Sequence, residues 1–504
     1  MCHSLSINPG ARVSTFTTAV DRASTAVQRA LASWWCFGII VGVFALSATL
    51  LAVAGADHFL YDEDYHFGIV QVYTHQWLPF IDQGNKYKGL GDISRTGSYL
   101  YHYIVSFPVR LVQALGGDAR AQLVVARLCS VAFLSASFIW FRSLIIELGA
   151  SKAIANVSLA VFAAVPITSA VAATVNYDSL TILFTALFLW QAVRIWKAAE
   201  LRFPDLLAIA AVGCFGSLTK YTFLPVFVGT AVLLLIVLII RTRRRTVRFS
   251  WGYGTPRFWI WGAAALIGVA LFVERYVVNL LLFRSPQPDC AKLHPVSFCL
   301  SYGPWGRNYA LEHQFSGASP SPGRVLYYLF QDWIPGNLWS LRYVGTSTHA
   351  TLGSAATAAL IDLAAAITIF LLAIGIGWLL RRRGMLVPFV AVAVYVAALF
   401  AVNLSDFDKM NVPVGVQGRY LLPFLPLAIC CAGMVLARAL DALYARPATL
   451  KVIVVIALVI AMTQGAGALT YFASADDAWY AAGGPLVDFT RFLHAVANKL
   501  LIGG

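Results

Sequence analysis

Long apolar segments alternate with short polar ones along most of the chain. A helix needs about twenty consecutive apolar residues to cross the hydrocarbon layer of a membrane. About eleven segments meet this description or come close to it. We predict membrane-spanning helices near residues 36–56, 122–146, 153–175, 179–198, 205–219, 221–240, 258–282, 352–379, 385–403, 419–439 and 451–472.

Composition supports a polytopic membrane protein built entirely from helices. Of the 504 residues, 59% are hydrophobic and only 12% are charged, whereas a soluble protein carries about 25% charged residues. The formal net charge of +14 does not indicate nucleic-acid binding, because the basic residues lie in alternate loops, as expected for loops on the cytoplasmic side. The partners predicted from composition are therefore membrane lipids.

The distribution of basic residues predicts the orientation of the chain. About half of the Lys and Arg residues, 19 of 37, lie in segments 1–35, 147–152, 194–204, 241–257, 380–384 and 438–451. By the positive-inside rule these segments are cytoplasmic, so the N-terminus is inside and, with eleven spans, the C-terminus is outside. We expect a cytoplasmic segment 1–35, a transmembrane domain 36–472 and an external tail 473–504. The first apolar run is long enough to remain as an anchor, so no cleavable signal is predicted.

Two of the external loops are large, 57–121 and 283–351. The first contains two stretches, near 63–77 and 98–115, that we predict to be helices lying on the membrane surface. Aromatic residues in the second stretch suit the interface between lipid and water. The tail segment "PLVDFTRFLHAVANKLLI" is predicted to form a further amphipathic helix.

Cys290 and Cys299 lie close together in the second external loop, within "PDCAKLHPVSFCL". An oxidising compartment would permit a disulfide between them, which is the prediction. Two free thiols are the alternative. A zinc site is a less favoured alternative, because His294 is the only additional zinc ligand nearby and a closed tetrahedral site needs four.

An acidic cluster, "YDEDYHF", follows the first apolar segment and contains Asp62, Glu63, Asp64 and His66. A solvated turn is the simplest explanation. However, carboxylates in the first turn of a helix are stabilised by the helix dipole, and three adjacent ones repel each other. The repulsion would raise the pKa of one of them towards the range of a general base. We therefore predict a functional role for this cluster.

Two further polar points interrupt the apolar spans. Asn176 and Asp178 lie in "VNYDSL" at an external turn, where Asp178 alternatively serves only to cap a helix. Lys220, in "CFGSLTKYTFLP", is a single cation between two spans. A lysine at such a depth marks a site or an ion pair, unless its side chain extends to the interface.

The last polar point is "PVGVQGRYLLPFLPL", where Gln417, Arg419 and Tyr420 precede the tenth span on its external side. A guanidinium binds phosphate well, and a lipid headgroup is the alternative partner to a substrate. Under the predicted topology all four polar points lie at the same external face. Carboxylates and cations at such a face predict a site for an anionic amphiphile and a hydroxyl acceptor.

The motifs "DEDYHFG", "NYDSL" and "QGRYLLPFLPL", with this layout of spans and loops, resemble the GT-C superfamily of glycosyltransferases. Within it, the layout is similar to that of protein O-mannosyltransferases and lipid A aminoarabinose transferases. The resemblance implies a bacterial plasma-membrane enzyme whose active site faces the periplasm or the cell exterior. It also implies a polyprenyl-phosphate-sugar donor and a glycan or glycolipid acceptor. The proline pair that often follows the first loop in those relatives is replaced here by "RTGSYLYHYI".

The resemblance also implies roles for individual residues. Asp62 corresponds to the catalytic aspartate, with Glu63 beside it, and Asp178 to a second acidic position. Lys220 and Arg419 correspond to ligands of the lipid phosphate.

In the reaction we expect, Asp62 takes the proton of the acceptor hydroxyl, and attack opposite the phosphate inverts the anomeric carbon. Glu63, His66 and Asp178 would orient this base or the sugar. Further candidates for binding the substrates are Lys86, Lys88, Arg95 and His102. No cofactor is expected to be required, although Asp62, Asp64 and Asp178 are oxygen ligands of the kind that divalent cations prefer.

Two other functional classes compete with the transferase. A transporter or flippase for a lipid-linked sugar would bind a similar molecule, but it should place polar residues and broken helices in the middle of the membrane. A non-catalytic scaffold in envelope assembly would tolerate loss of Asp62.

The sequence has no evident coiled coil, and we expect the chain to act as a monomer.

Overall fold

Helices account for nearly all of the regular structure. The computed structural model describes residues 22–57, 62–80, 87, 89–315, 321–345, 350–352, 355–444, 447–462, 467–474, 480–481 and 483–501. The first half contains helices α1 (22–32), α2 (Trp34–Ala54), α3 (Glu63–Thr74), α4 (Leu100–Ala114), α5 (Ala119–Glu147), α6 (Lys152–Ala163), α7 (Pro166–Ala172), α8 (Asp178–Lys197), α9 (Phe203–Thr219), α10 (Leu224–Arg243), α11 (Pro256–Phe272) and α12 (Val278–Phe283).

The second half continues this helical pattern. It contains α13 (Val296–Cys299), α14 (Gly303–Gln314), α15 (Pro322–Tyr327), α16 (Ile334–Arg342), α17 (Ala355–Leu380), α18 (Leu386–Met410), α19 (Leu425–Leu443), α20 (Pro447–Met462), α21 (Ala468–Ser474) and α22 (Pro485–Leu501). Strands β1 (Glu200–Arg202) and β2 (Arg248–Ser250) pair in parallel, and β3 (Tyr343–Gly345) and β4 (Ala350–Leu352) pair antiparallel. The all-helical class predicted from the sequence is confirmed.

Within the described residues, eight helical segments are long and apolar enough to cross a membrane. They are Trp34–Ala54, Ala119–Glu147, Asp178–Lys197, Tyr221–Arg243, Pro256–Phe283, Ala358–Leu380, Leu386–Met410 and Leu425–Leu443. The chain is therefore a multi-pass membrane protein. The predicted number of eleven spans is not established, since α9 and α20 are shorter than the others.

The third predicted span, 153–175, is not one straight helix. It divides into α6 and α7, which are bent by 76° relative to each other. The cause is Pro166 at the start of α7, because the residue before a proline avoids the helical conformation. Val165 accordingly has an extended backbone with ψ of 120°.

The two helices expected in the first large loop are present as α3 and α4, slightly shorter than predicted. The tail helix is present as α22, with exposed Leu486, Phe489 and Phe492 along it. Among the described residues this apolar face is left uncovered, which is typical of a helix lying on a membrane.

The two ends of the helix bundle differ in chemistry. At one end of the bundle, basic side chains connect the long helices to each other. Lys197 forms an ion pair with Glu147 at 3.3 Å, and Arg382 donates a hydrogen bond to the Gly149 carbonyl. Asp178 and Lys220 lie at the other end, where α8 begins and α9 ends. The basic loops and the site are thus separated by the length of the bundle.

Candidate active site

Four chain segments converge in a compact group of two carboxylates and two cations. Arg419 donates to both carboxylate oxygens of Asp62, with Nη1 to Oδ1 at 3.1 Å and Nη2 to Oδ2 at 2.7 Å. Lys220 donates to Asp178 through Nζ. Arg419 Nε lies 3.9 Å from Asp178 Oδ2, which joins the two pairs. We call these four residues the carboxylate–cation cluster.

Each member of the cluster lies at a helix end. Asp62 immediately precedes α3, and Asp178 is the first residue of α8, where its N–H donates to Asn176 Oδ1 at 2.7 Å. Lys220 follows α9 with an extended backbone, so the helix stops at Thr219. Arg419 lies in the short 3₁₀ turn Gly418–Leu421. Helix ends let apolar spans present polar side chains without placing charge within their length.

Gly418 is required for this turn by close contact. A Cβ atom at this position would lie 2.3 Å from the carbonyl oxygen of Asn337 in α16. Its own N–H donates to the Ser340 hydroxyl. The turn that carries Arg419 is therefore packed directly against the second large loop, residues 283–351.

Aromatic rings surround the buried lysine. Lys220 Nζ lies 4.6 Å from the ring centroid of Tyr177 and 4.3 Å from that of Tyr420. Such cation–π contacts stabilise an ammonium group without neutralising it. Lys220, Arg419 and Asp178 are all buried, whereas Asp62 is about a quarter exposed, at 28%. Asp62 is thus the member of the cluster most accessible to a substrate.

The ionisation of Asp62 is set by two opposing effects. Burial acts to raise its pKa, but the Arg419 guanidinium and the neighbouring His66 outweigh burial and hold the pKa well below its ordinary value. Asp62 is therefore a carboxylate throughout the neutral range.

Two histidines extend from Asp62 into the protein. His66 Nε2 lies 3.6 Å from Asp62 Oδ2, and His66 Nδ1 lies 2.9 Å from His102 Nε2. Burial and the adjacent His66 lower the pKa of His102 well below its ordinary value, so His102 is neutral. His66 therefore lies between the Asp62 carboxylate and His102.

Glu63, predicted to act beside Asp62, is instead held by a buried arginine. Arg127 donates to it from Nε at 2.8 Å and Nη2 at 2.6 Å, and the Val175 N–H donates to it at 3.0 Å. Arg127 also bonds the carbonyls of Ala52, Gly55 and Ala56 at the end of α2. This geometry fits a positioning role for Glu63. Arg127 was missed at the sequence level, although an arginine inside the apolar run "QLVVARLCSV" is itself a signal.

Some of the other residues predicted to bind the substrates lie next to the carboxylate–cation cluster, and others do not. Asn176 is buried, and its N–H donates to the Tyr101 hydroxyl at 3.0 Å. Gln417 and Tyr420 flank Arg419 and are half-buried, and Asp64 is exposed on α3. Lys86 and Lys88 lie outside the described residues.

Arg95 is bound elsewhere than in the carboxylate–cation cluster. Its guanidinium donates to Glu274 Oε1 at 2.7 Å and to Asn279 Oδ1 at 2.8 Å. These contacts connect the first large loop, residues 57–121, to the end of the helical segment that contains α11 and α12. Arg95 therefore holds this loop in place, and we do not propose Arg95 as a ligand of the donor phosphate.

A cavity of about 400 Å³ opens beside the histidine pair. Most of its walls come from the two large loops, 57–121 and 283–351, and Cys290 is one of its lining residues. Cys290 and Cys299, the pair expected to bridge, are joined by a disulfide. The lining consists of Tyr65, Leu90, Asp92, Thr96, Ser98, His102, Tyr177, Gln287, Pro288, Asp289, Cys290, Tyr302 and Trp305.

Asp62, Asp64 and Asp178 are the carboxylates that were considered as oxygen ligands of a divalent cation. In the part of the chain that the structure describes, no three His, Cys, Asp or Glu residues are grouped as metal ligands. Asp62 and Asp178, the carboxylates considered for a divalent cation, each face a cationic side chain.

Comparison with solved structures finds likenesses of low sequence identity. One is ArnT from Cupriavidus metallidurans bound to undecaprenyl phosphate, with 15% identity, a TM-score of 0.43, and coverage of 94% of this chain and 71% of that chain. Another is the Archaeoglobus fulgidus oligosaccharyltransferase in complex with Zn and sulfate, with 13% identity and a TM-score of 0.44. That match covers 88% of this chain and 54% of the archaeal one.

The archaeal oligosaccharyltransferase AglB in complex with an inhibitory peptide and a dolichol-phosphate also matches. Its identity is 14% and its TM-score 0.40, with coverage of 93% of this chain and 55% of that chain. This chain thus spans about half the length of the archaeal proteins. At such TM-scores the likenesses are too distant to transfer a residue role or a reaction. No curated protein matches the chain at a significant level.

A family model described as a predicted membrane protein, DUF2142, matches residues 90–428. The matched region includes Asp178, Lys220 and Arg419 as well as the disulfide loop, whereas Asp62 and α3 precede it. The match covers well over half of the sequence. The chain therefore belongs to the DUF2142 family of predicted membrane proteins.

Proposed function

We propose that this protein is an inverting glycosyltransferase of the GT-C type, with a polyprenyl-phosphate sugar as donor. The acceptor is a hydroxyl of an envelope glycan or glycolipid. The observation that carries the proposal is the Asp62–Arg419 pair. It places a partly exposed carboxylate in direct contact with a buried guanidinium, next to the buried Lys220. A base and two phosphate ligands are the groups that this reaction needs.

The donor already carries a good leaving group, because a phosphate is attached to the anomeric carbon. The enzyme must therefore stabilise developing negative charge rather than protonate the leaving oxygen. Arg419 and Lys220 would hold the phosphate. Both are neutralised by carboxylates when no substrate is bound, so a phosphate would compete with Asp62 for the Arg419 guanidinium.

This competition gives Asp62 its activity as a base. When Arg419 turns towards phosphate, the charge that keeps the pKa of Asp62 low is partly neutralised, and the carboxylate becomes more basic. Asp62 then accepts the proton of the acceptor hydroxyl as the C–O bond to the sugar forms and the bond to phosphate breaks. His66 orients Asp62, Asp178 orients Lys220, and the Glu63–Arg127 pair fixes the start of α3.

The site is proposed to face the outside of a bacterial plasma membrane. The support is the separation between the basic loops and the carboxylate–cation cluster, together with the rule that basic loops are cytoplasmic. The chain would act as a monomer, since one chain contributes all four members of the cluster.

The decisive experiment is transfer from a panel of radiolabelled polyprenyl-phosphate sugars in membranes that contain the protein. Undecaprenyl-phosphate sugars are the first to test. We expect labelled product with at least one donor and none in membranes that lack the protein. Movement of an intact donor across the membrane without product would overturn the proposal and favour the transporter.

Substitution of Arg419 with Gln is expected to raise the KM for the donor about tenfold or more, because one phosphate ligand is lost. It should also move the acid limb of the pH profile of kcat/KM to higher pH. Arg419 lowers the pKa of Asp62, so its removal lets Asp62 take up a proton at a higher pH. The measurement is a donor titration at several pH values.

The matched control is Arg257→Gln. Arg257 forms a similar pair with Asp205, at 2.6 Å, near the start of α9 at the opposite end of the bundle. This variant should keep the wild-type donor KM and pH profile. An unchanged profile in Arg419→Gln would show that Arg419 does not control the base.

A further inference from the structure

The cavity beside the histidine pair has aromatic walls. The rings of Tyr65 and Tyr302 lie 5.0 Å apart, centroid to centroid, and bring α3 together with the second external loop. Trp305 stands on the same loop, and Tyr177 reaches the cavity from the start of α8. Flat aromatic faces of this kind bury the apolar side of a ligand while its edges stay free for hydrogen bonds.

Polar groups are placed between these rings. Trp305 Nε1–H donates to both oxygens of Asp289, at 3.0 and 2.9 Å. Asp92 also lines the cavity, and its Oδ1 atom lies 3.3 Å from His294 Nε2. Ser98 and Gln287 are further polar residues of the lining. A carbohydrate ring presents apolar C–H faces and hydroxyl edges. The alternation of aromatic faces with carboxylate, hydroxyl and amide groups complements that pattern.

The cavity is built before any ligand arrives. The disulfide closes the Cys290–Cys299 loop, and the N–H of Gly89 donates to the Ser301 hydroxyl at 2.9 Å. At Gly91, φ is +64°, and a Cβ atom there would lie 2.9 Å from the Tyr302 ring. The two external loops are therefore in close contact, which reduces the entropy lost when a ligand binds.

Position distinguishes the two substrates. The Asp62 carboxylate contacts both Arg419 and His66 through Oδ2, at 2.7 and 3.6 Å. His66 in turn contacts His102, which lines the cavity. An inverting displacement needs the acceptor and the leaving phosphate on opposite sides of the reacting carbon. Arg419 and Lys220 are assigned to the phosphate of the donor, so the cavity next to the two histidines is left for the acceptor.

We propose that this cavity binds a carbohydrate acceptor, stacked on Trp305, Tyr302 and Tyr65, with Asp289 holding its hydroxyls. The assignment rests on the proposed glycosyl transfer and adds the chemical class of the acceptor. At about 400 Å³ the cavity lies at the lower end of the range for small-molecule sites, about 300–1,000 Å³. It therefore accommodates the end of a glycan rather than a long segment of one.

The first test separates acceptor from donor. Trp305→Ala should raise the KM for a glycan acceptor about tenfold or more and leave the donor KM within twofold. Asp289→Asn, an exposed and conservative change, should raise the acceptor KM by a smaller factor in the same direction. The control is Trp251→Ala, since Trp251 is exposed beside Phe203 at the opposite end of the bundle. A change in donor KM alone, or no change in either, would overturn the proposal.

The second test does not depend on catalysis. Saturation-transfer NMR in detergent micelles would measure binding of soluble tetrasaccharides of glucose, mannose and arabinose without any donor. We expect a signal with the wild type that weakens in both variants and persists in Trp251→Ala. Absence of binding, or equal signals in wild type and both variants, would overturn the cavity assignment even if transfer occurs. Binding without transfer would support the cavity and count against the proposed reaction.

Discussion

Substitution of Asp62 with Asn is expected to reduce glycosyl transfer by about 10²–10⁴-fold, the usual contribution of a general base. Asn has the same shape as Asp but does not accept a proton at neutral pH. Asp62 is partly exposed and lies at the beginning of α3 rather than in the core, so the variant should fold. The measurement is the initial rate of transfer by purified protein at a saturating donor concentration.

The control for this variant is Asp441→Asn. Asp441 forms an exposed pair with Lys451 at 2.6 Å, outside the carboxylate–cation cluster, so its loss should leave the rate within twofold. If transfer by Asp62→Asn stays within a few-fold of the wild type, Asp62 is not the base. The role would then pass to Glu63 or Asp178, and that outcome would also require one of them to leave its buried cation.

The rate should be compared with donor binding in the same variant. The uncharged amide in Asp62→Asn would no longer compete with phosphate for Arg419 as a carboxylate does, so the donor KM should stay equal or fall. A lower kcat with an unchanged or lower KM is the expected signature of a lost base. A higher donor KM with an unchanged kcat would instead assign Asp62 to substrate binding.

Much of the helical layout could be predicted because the membrane imposes simple local rules. Hydropathy located α2, α5 and α8 to within a few residues, and the surface helices α3 and α4 were recognised from their pattern and aromatic residues. The break between α6 and α7 was missed although Pro166 was visible. A proline is tolerated in many spans, and whether it breaks a helix depends on the neighbouring helices.

The convergence of Asp62, Asp178, Lys220 and Arg419 could be anticipated because topology alone places helix ends on one face. Which side chains pair could not be anticipated, since pairing depends on packing between distant spans. Glu63 and Arg95 were predicted as site residues because they are charged residues near Asp62 in the first large loop. The structure shows that both are held by partners far along the chain, Arg127 and Glu274.

We expect the buried Glu63–Arg127 ion pair to contribute strongly to the stability of the fold. Both side chains are almost completely buried, with exposed fractions of 1% and 0%. Arg127 makes five hydrogen bonds, two to Glu63 and three to carbonyls at the end of α2. It therefore joins three elements, the end of α2, the start of α3 and the body of α5. The start of α3 is also where Asp62 lies.

Substitution of Arg127 with Met is expected to lower the free energy of unfolding by about 3–5 kcal/mol, because it leaves the Glu63 carboxylate buried without a cation. Unfolding of the purified protein in detergent measures this change. In the same helix, Arg120 pairs with the exposed Asp57 at 2.8 Å and also donates to the carbonyls of Val53 and Gly55. Arg120→Met leaves no carboxylate buried without a cation, so it should cost less than Arg127→Met, about 1–2 kcal/mol. The double variant Glu63→Leu with Arg127→Met should recover part of the loss, since the buried charge is removed with its partner.

Equal losses of stability in Arg127→Met and Arg120→Met would contradict a structural role for the buried Glu63–Arg127 pair. Glu63 would then return as a candidate for catalysis.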